Sequence, residues 1–239
     1  MVGQLGKWAA GLAVCVWTFW APPIAAQADC RLALLLALDV SSSVDAEEYA
    51  LQRDGLASAL DAPAVRNAIL DSSGHVNIAI YEWSGRRQST VVSDWIALRG
   101  DEDIDRLITN LTTAQRSHTR FPTALGYALG FGATMLSKGP ICDRQVIDVS
   151  GDGENNDGFA PYLAYKNFPF NNVTVNGLAV LGSAPNVLEY FQREVRFGVG
   201  AFVETSYGYD GYRQSMTRKL LRELNGQVLS AVPVAQGPG

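Results

Sequence analysis

Residues 31–39 read Arg-Leu-Ala-Leu-Leu-Leu-Ala-Leu-Asp, a near-continuous apolar run closed by a carboxylate, and Val40-Ser41-Ser42-Ser43 follows at once. A strand with one wet face alternates apolar and polar side chains, so a run without alternation marks a strand buried on both faces. Strands of that kind sit in parallel sheets, with helices covering either side. Whether the whole chain is such a sheet depends on what surrounds this run.

Outward from it, helix and strand patterns alternate. Asp45–Leu60 reads as a helix, with Asp45 as N-cap, Glu48 three residues on, and Tyr49, Leu51, Leu56 and Leu60 on a common face. Val76–Trp83 is a second strand, and Ser89–Trp95 is a third, its hairpin partner across Ser84-Gly85-Arg86. Asp101–Leu111 has Ile104, Leu107, Ile108 and Leu111 at helical spacing, and Pro122–Leu136 is a more apolar helix that stops before Lys138-Gly139-Pro140. Val146–Ser150 is a short strand running into the turn Gly151–Asn156. A helix around Phe159–Asn167, a strand Val173–Val180, a helix Pro185–Arg196, a strand Gly200–Glu204 and a helix Asp210–Leu224 complete the order. The expected fold is α/β: a doubly wound, mostly parallel sheet with one antiparallel edge strand and helices on both faces. Such sheets hold their ligands at the carboxyl ends of strands where strand order reverses, here just after Leu38 and just after Val149.

The 239 residues carry 19 basic and 24 acidic side chains, a net charge of −5. An acidic chain without Lys/Arg runs repels phosphate at long range, which excludes nucleic-acid and anionic-membrane binding as its main business. Residues 1–28 hold a single charge, Lys7, followed by the uncharged stretch Trp8–Trp20, the break Pro22-Pro23 and the small-residue site Ala26-Gln27-Ala28. That pattern is a secretory signal peptide, since a membrane anchor wants about 20 unbroken apolar residues. The expected organisation is a signal peptide over 1–28, one domain over 29–229 and a flexible tail over 230–239, exported to the periplasm or secreted, with no membrane span in the mature chain. Of the three cysteines, Cys30 and Cys142 remain after the leader. An even count in an oxidising compartment points to a bridge, with two free buried thiols as the alternative.

The chemistry gathers at the predicted switch point. Asp39-Val-Ser41-Ser-Ser43 is a D-x-S-x-S motif at a strand-to-helix turn, where alternate residues face the same side. One carboxylate and two hydroxyls then converge as oxygen donors, which suits a hard cation such as Mg²⁺ rather than zinc or copper. The same residue types also cap helices, so the motif alone leaves both readings open. Two further segments matter: Thr123-Ala-Leu-Gly126-Tyr-Ala-Leu129, opening a helix, and Ile147-Asp-Val-Ser-Gly151-Asp152-Gly153, ending a strand.

These three segments, in this order, resemble the von Willebrand factor A-like domain with its metal-ion-dependent adhesion site. The resemblance implies one divalent cation, Mg²⁺ before Mn²⁺ or Ca²⁺, ligated by Asp39, Ser41, Ser43, Thr123 and Asp152. Thr119 and Asp148 stand as alternatives to Thr123 and Asp152. Asn155, Asn156 and Asp157 read as turn residues, with the rim of the site as their alternative role. The resemblance also makes the first and fourth strands parallel neighbours, which would place Cys30 and Cys142 together at the end opposite the metal and implies their disulfide. A cation with one coordination position open would accept an Asp or Glu side chain from a protein partner. The implied activity is therefore binding rather than catalysis. A metal-assisted hydrolase, with Glu154 or Asp157 as base, and a structural subunit are the rival readings. His75 and His118, the only histidines, read as surface residues.

Overall fold

The computed structural model describes Met1, Gly3 and residues 29–226, so the rest of the expected leader and the tail over 230–239 lie outside the described residues. Six strands form one sheet: β1 (Cys30–Asp39), β2 (His75–Trp83), β3 (Ser89–Leu98), β4 (Arg144–Gly151), β5 (Val173–Leu181) and β6 (Val203–Tyr207), in the order β3-β2-β1-β4-β5-β6. All neighbours are parallel except β2 and β3, the antiparallel edge pair. Order runs outward in both directions from β1 and β4, so the switch point lies between their carboxyl ends.

The unalternating run of β1 is explained by its two faces. Leu32, Leu34, Leu36 and Leu38 enter one core, beneath α1 (Ala46–Leu60), α2 (Pro63–Leu70), α3 (Asp101–Thr113) and α7 (Tyr212–Leu224). Ala33, Leu35 and Ala37 enter the other, beneath α4 (Leu125–Lys138), α5 (Pro161–Asn167) and α6 (Val187–Tyr190), which continues as a π-helical turn over Phe191–Val195. Each fully buried leucine contributes about 1.5–3 kcal/mol through burial, which makes β1 the spine of the molecule. The helix at Asp45 starts as its sequence predicts, with a full capping box: Asp45 accepts from the backbone of Glu47 and Glu48, and Glu48 accepts from the Asp45 N–H.

Four features depart from the sequence reading. Helix α2 is additional, an eight-residue helix whose Pro63 stands in the first turn, where a missing N–H costs nothing. Helix α4 starts at Leu125 rather than Pro122: Ala124 takes a non-helical backbone, φ −105° and ψ 65°, while the Thr123 N–H donates to Asn156 Oδ1. The expected helix over 185–196 is one α-turn and one π-turn. Strand β6 begins at Val203 rather than Gly200, since Gly198 and Gly200 take positive φ values of 90° and 72° and hold the chain in a turn.

At the amino end of the sheet, Cys30 and Cys142 form a disulfide with their Cα atoms 4.6 Å apart, linking the start of β1 to the segment entering β4. Nearby, Arg31 donates to the carbonyls of Ala68 and Leu224, capping the carboxyl ends of α2 and α7 with positive charge. Among the described residues no helix is long and apolar enough to cross a membrane.

Candidate metal centre

Strands β1 and β4 pair in register with Leu38 opposite Ser150, so Asp39 ends one strand level with Gly151 and Asp152 follows just past the other. The turn after β1 is set by the Ser41 N–H, which donates to Asp39 Oδ1 at 2.7 Å. Ser41 Oγ and Ser43 Oγ are then 3.1 Å apart, Ser43 Oγ donates to Asp152 Oδ1 at 2.8 Å, and Thr123 Oγ1 donates to Ser41 Oγ at 3.3 Å. All five residues expected at the site meet there, drawn from three separate stretches of the chain. Asp39, Ser41 and Asp152 are fully buried, Thr123 nearly so, and Ser43 stands exposed at the mouth. Two glycines allow the close approach. A Cβ on Gly151 would lie 3.0 Å from Asp39 Oδ2, and one on Gly126 would lie 2.0 Å from the Phe159 carbonyl oxygen.

The electrostatics fit a cation. Asp39 Oδ2 and Asp152 Oδ2 are buried with no hydrogen-bond partner. Burial, and then the charge of Asp152, push the Asp39 carboxyl up to about 7, against hydrogen bonds from Ser41 and the charge of Arg116. Two carboxylates desolvated at one place repel, and a divalent ion relieves both the repulsion and the orphaned oxygens. Among the described residues no three His, Cys, Asp or Glu side chains gather as a metal site would. The donor set here is two carboxylates and three hydroxyls, all oxygen, which is chemistry for a hard ion.

A second layer of residues holds this loop in place. The guanidinium of Arg116 donates to the carbonyls of Val40, Ser41, Val44 and Asp45, and so fixes the whole turn after β1. Gln52 donates to the Asp39 carbonyl and accepts from Ser150 Oγ, which in turn accepts from the Tyr212 hydroxyl. Glu82, buried, accepts from the Tyr49 hydroxyl and the Ser117 N–H. None of these was legible in advance, because each acts on backbone remote in sequence. Asn155 and Asn156 are more than turn residues: their side-chain carbonyls accept from the Gly126 and Thr123 N–H groups and fix the start of α4 against the turn after β4.

The alternatives resolve by position. Thr119 is exposed, away from the contacts that join the five residues. Asp148 is buried but points to the other face, where it forms an ion pair with the Lys219 ammonium at 2.7 Å. Asp157 is bound by Arg86 at 2.7 Å, which holds its carboxyl below the usual range and makes it a poor base. His118 lies edge-on to Phe121, and His75 is largely buried, 3.5 Å from Asp29, rather than on the surface. Of Tyr207, Tyr209 and Tyr212, only Tyr207 is exposed.

A protein family described as being of unknown function, DUF1194, matches residues 29–228, most of the sequence. The chain belongs to the DUF1194 family. No curated protein sequence matches this DUF1194 chain. Solved structures do resemble its fold. Proximal thread matrix protein 1 from the mussel byssus, with a zinc-occupied adhesion-site motif, superposes at TM-score 0.60 and 16% identity over 83% of this chain and 49% of its own. The von Willebrand factor type A protein from Catenulispora acidiphila gives 0.57 and 11% over 82% and 43%. The PilB minor pilin of Streptococcus sanguinis gives 0.60 and 11% over 85% and 64%. The DUF1194 chain thus has a von Willebrand factor A-like fold, and it spans 43–64% of the length of these structures.

Proposed function

We propose that this DUF1194 chain is an exported binding module. It would capture a protein partner through a divalent cation, Mg²⁺ before Mn²⁺ or Ca²⁺, held by Asp39, Ser41, Ser43, Thr123 and Asp152. The observation that carries the reading is the pair of fully buried carboxylates, Asp39 and Asp152, each with an unpartnered oxygen, among three hydroxyls at the carboxyl ends of β1 and β4. When bound, the cation supplies a Lewis-acidic point at which an oxygen from a partner completes the shell. The chain's own groups set the terms of that contact. Asp39 and Asp152 balance the charge of the ion without excess, so an incoming Asp or Glu meets no surplus negative charge from the ligand set. Ser43, exposed where the others are buried, marks the side from which the partner arrives. Export is supported by the composition of residues 1–28 and by the Cys30–Cys142 bridge, a bond that persists in oxidising compartments.

Isothermal titration of Mg²⁺ and Mn²⁺ into the protein tests the site: binding is expected, and is lost in Asp39→Ala. Wild-type protein that takes up neither ion overturns the reading. Capture of a partner from the native envelope or extracellular fraction is expected to depend on the ion and to be abolished by EDTA.

A further inference from the structure

Two hydrogen-bond donors beside the candidate site have no acceptor. Trp83 is fully buried, and its indole Nε1–H, which can only donate, has no partner. Tyr209, 4% exposed, carries a buried hydroxyl that is equally unpartnered. Such orphans are uncommon in a folded protein and call for a reason. Their surroundings supply one. A Cβ on Gly151 would lie 3.0 Å from Asp39 Oδ2 and 3.5 Å from Trp83 Cζ2, two bonds from the indole nitrogen, so the nitrogen-bearing edge of Trp83 and the free oxygen of Asp39 flank the same glycine. Tyr209 packs in the core cluster that contains Val40 and Val44, and its ring is stacked 6.1 Å from that of Tyr212, whose own hydroxyl donates to Ser150, two residues before Asp152. Among the described residues, Asp39 and Asp152 each keep a buried oxygen without a donor, while the Trp83 and Tyr209 donors, like the neighbouring Ser84 hydroxyl, are buried without a partner.

We propose that Tyr209 and Trp83 are positioning residues of this site, donating to the carboxylates of Asp152 and Asp39 in the cation-loaded protein. The inference rests on the metal-binding reading above. A carboxylate that ligates a cation keeps lone pairs free for a second partner, and donors in that outer position orient the ligand and sharpen affinity, commonly by 10- to 100-fold. In the cation-free protein the same hydroxyl makes no hydrogen bond, so its removal costs the fold nothing. That asymmetry separates a positioning role from a structural one.

The test is Tyr209→Phe, which deletes one oxygen and keeps the ring. Mg²⁺ and Mn²⁺ affinities are measured by titration calorimetry, and the melting temperature is measured in EDTA. The expected result is a loss of about 10-fold or more in cation affinity, with a melting temperature in EDTA equal to or above wild type. Unchanged affinity overturns the inference, as does a loss of affinity accompanied by a lower melting temperature in EDTA. Wild-type protein that binds no cation fails the site itself, a result distinct from either. Trp83 gives an independent signal: in Trp95→Phe, its emission is expected to shift on Mn²⁺ or Mg²⁺ addition, and emission unchanged at saturating, calorimetrically verified cation overturns its part.

Discussion

Ser43 donates its hydroxyl hydrogen to Asp152 at 2.8 Å across 109 residues of sequence, and this single bond ties the turn after β1 to the turn after β4. It also places Asp152 where its charge acts on Asp39, the group whose carboxyl is pushed up to about 7.

Asp152→Asn keeps the shape and removes that charge. Asp39 binds more protons folded than unfolded between its unfolded value, near 3.8, and its folded value, about 7. The wild-type protein in EDTA therefore loses stability as pH rises through that window. The variant is expected to lose less, to be more stable than wild type at pH 8 by roughly 1 kcal/mol, and to bind Mg²⁺ poorly. Denaturant unfolding at pH 5 and pH 8 in EDTA measures the difference; equal slopes in the two proteins would show that Asp152 does not act on Asp39.

Arg116→Ala withdraws one guanidinium from four carbonyls of the turn that carries Ser41 and Ser43. Hydrogen bonds from a charged donor are worth about 1.5–3 kcal/mol in favourable cases, so a destabilisation of about 2–3 kcal/mol is expected, together with weaker cation binding. Arg116→Lys should restore only part of either, since an ammonium cannot span the same acceptors. Chemical denaturation and cation titration of both variants provide the check.

How much of this could be read in advance depended on how local the cause was. The faces of β1 and the cap at Asp45 were legible, because each follows from a periodicity or a short motif, whereas the five converging residues were legible only through the resemblance of three segments to the von Willebrand factor A-like domain. Arg116 was not: it sits in a polar loop with no periodicity, and the four carbonyls it holds in the turn after β1 lie more than 70 residues away. The start of α4 was missed because the segment Thr123-Ala124 is held against the turn after β4, Thr123 by Asn156 33 residues downstream, with Ala124 in a non-helical conformation. Asp148 stood as the alternative to Asp152 because it is a carboxylate near the same strand end, and only the packing of α7 shows that it serves Lys219.

Lys219 is fully buried between Asp148 at 2.7 Å and Glu223 at 3.1 Å, and Asn176 donates to the same Glu223. Replacing it by Met leaves buried Asp148 without its cation and Glu223 with only one, the Arg144 guanidinium 4.0 Å away. A loss of about 3–5 kcal/mol is expected, the usual cost of stranding a buried charge. Replacing Asp148 by Asn as well should recover part of it, and equilibrium unfolding of the single and double variants decides.

Reducing the Cys30–Cys142 bond reopens a loop of 112 residues. The chain-entropy account gives a loss of roughly 4–5 kcal/mol, less any relief of strain. Melting with and without dithiothreitol, beside Cys30→Ser/Cys142→Ser, measures it; matching melting temperatures would show the bridge to be thermodynamically idle.

The same bridge has a mechanical meaning. Asp39 and Asp152 terminate the two central strands at one pole, and the disulfide fastens those strands together near the other. A load applied at the Asp39 and Asp152 pole would enter the molecule along β1 and β4, the two central strands of the sheet. Tension cannot draw out the 112 residues enclosed by the covalent link, because the link short-circuits them. Such a sheet yields at its edges before its centre, and the ends of β1 and β4 would be the last part to lose their shape.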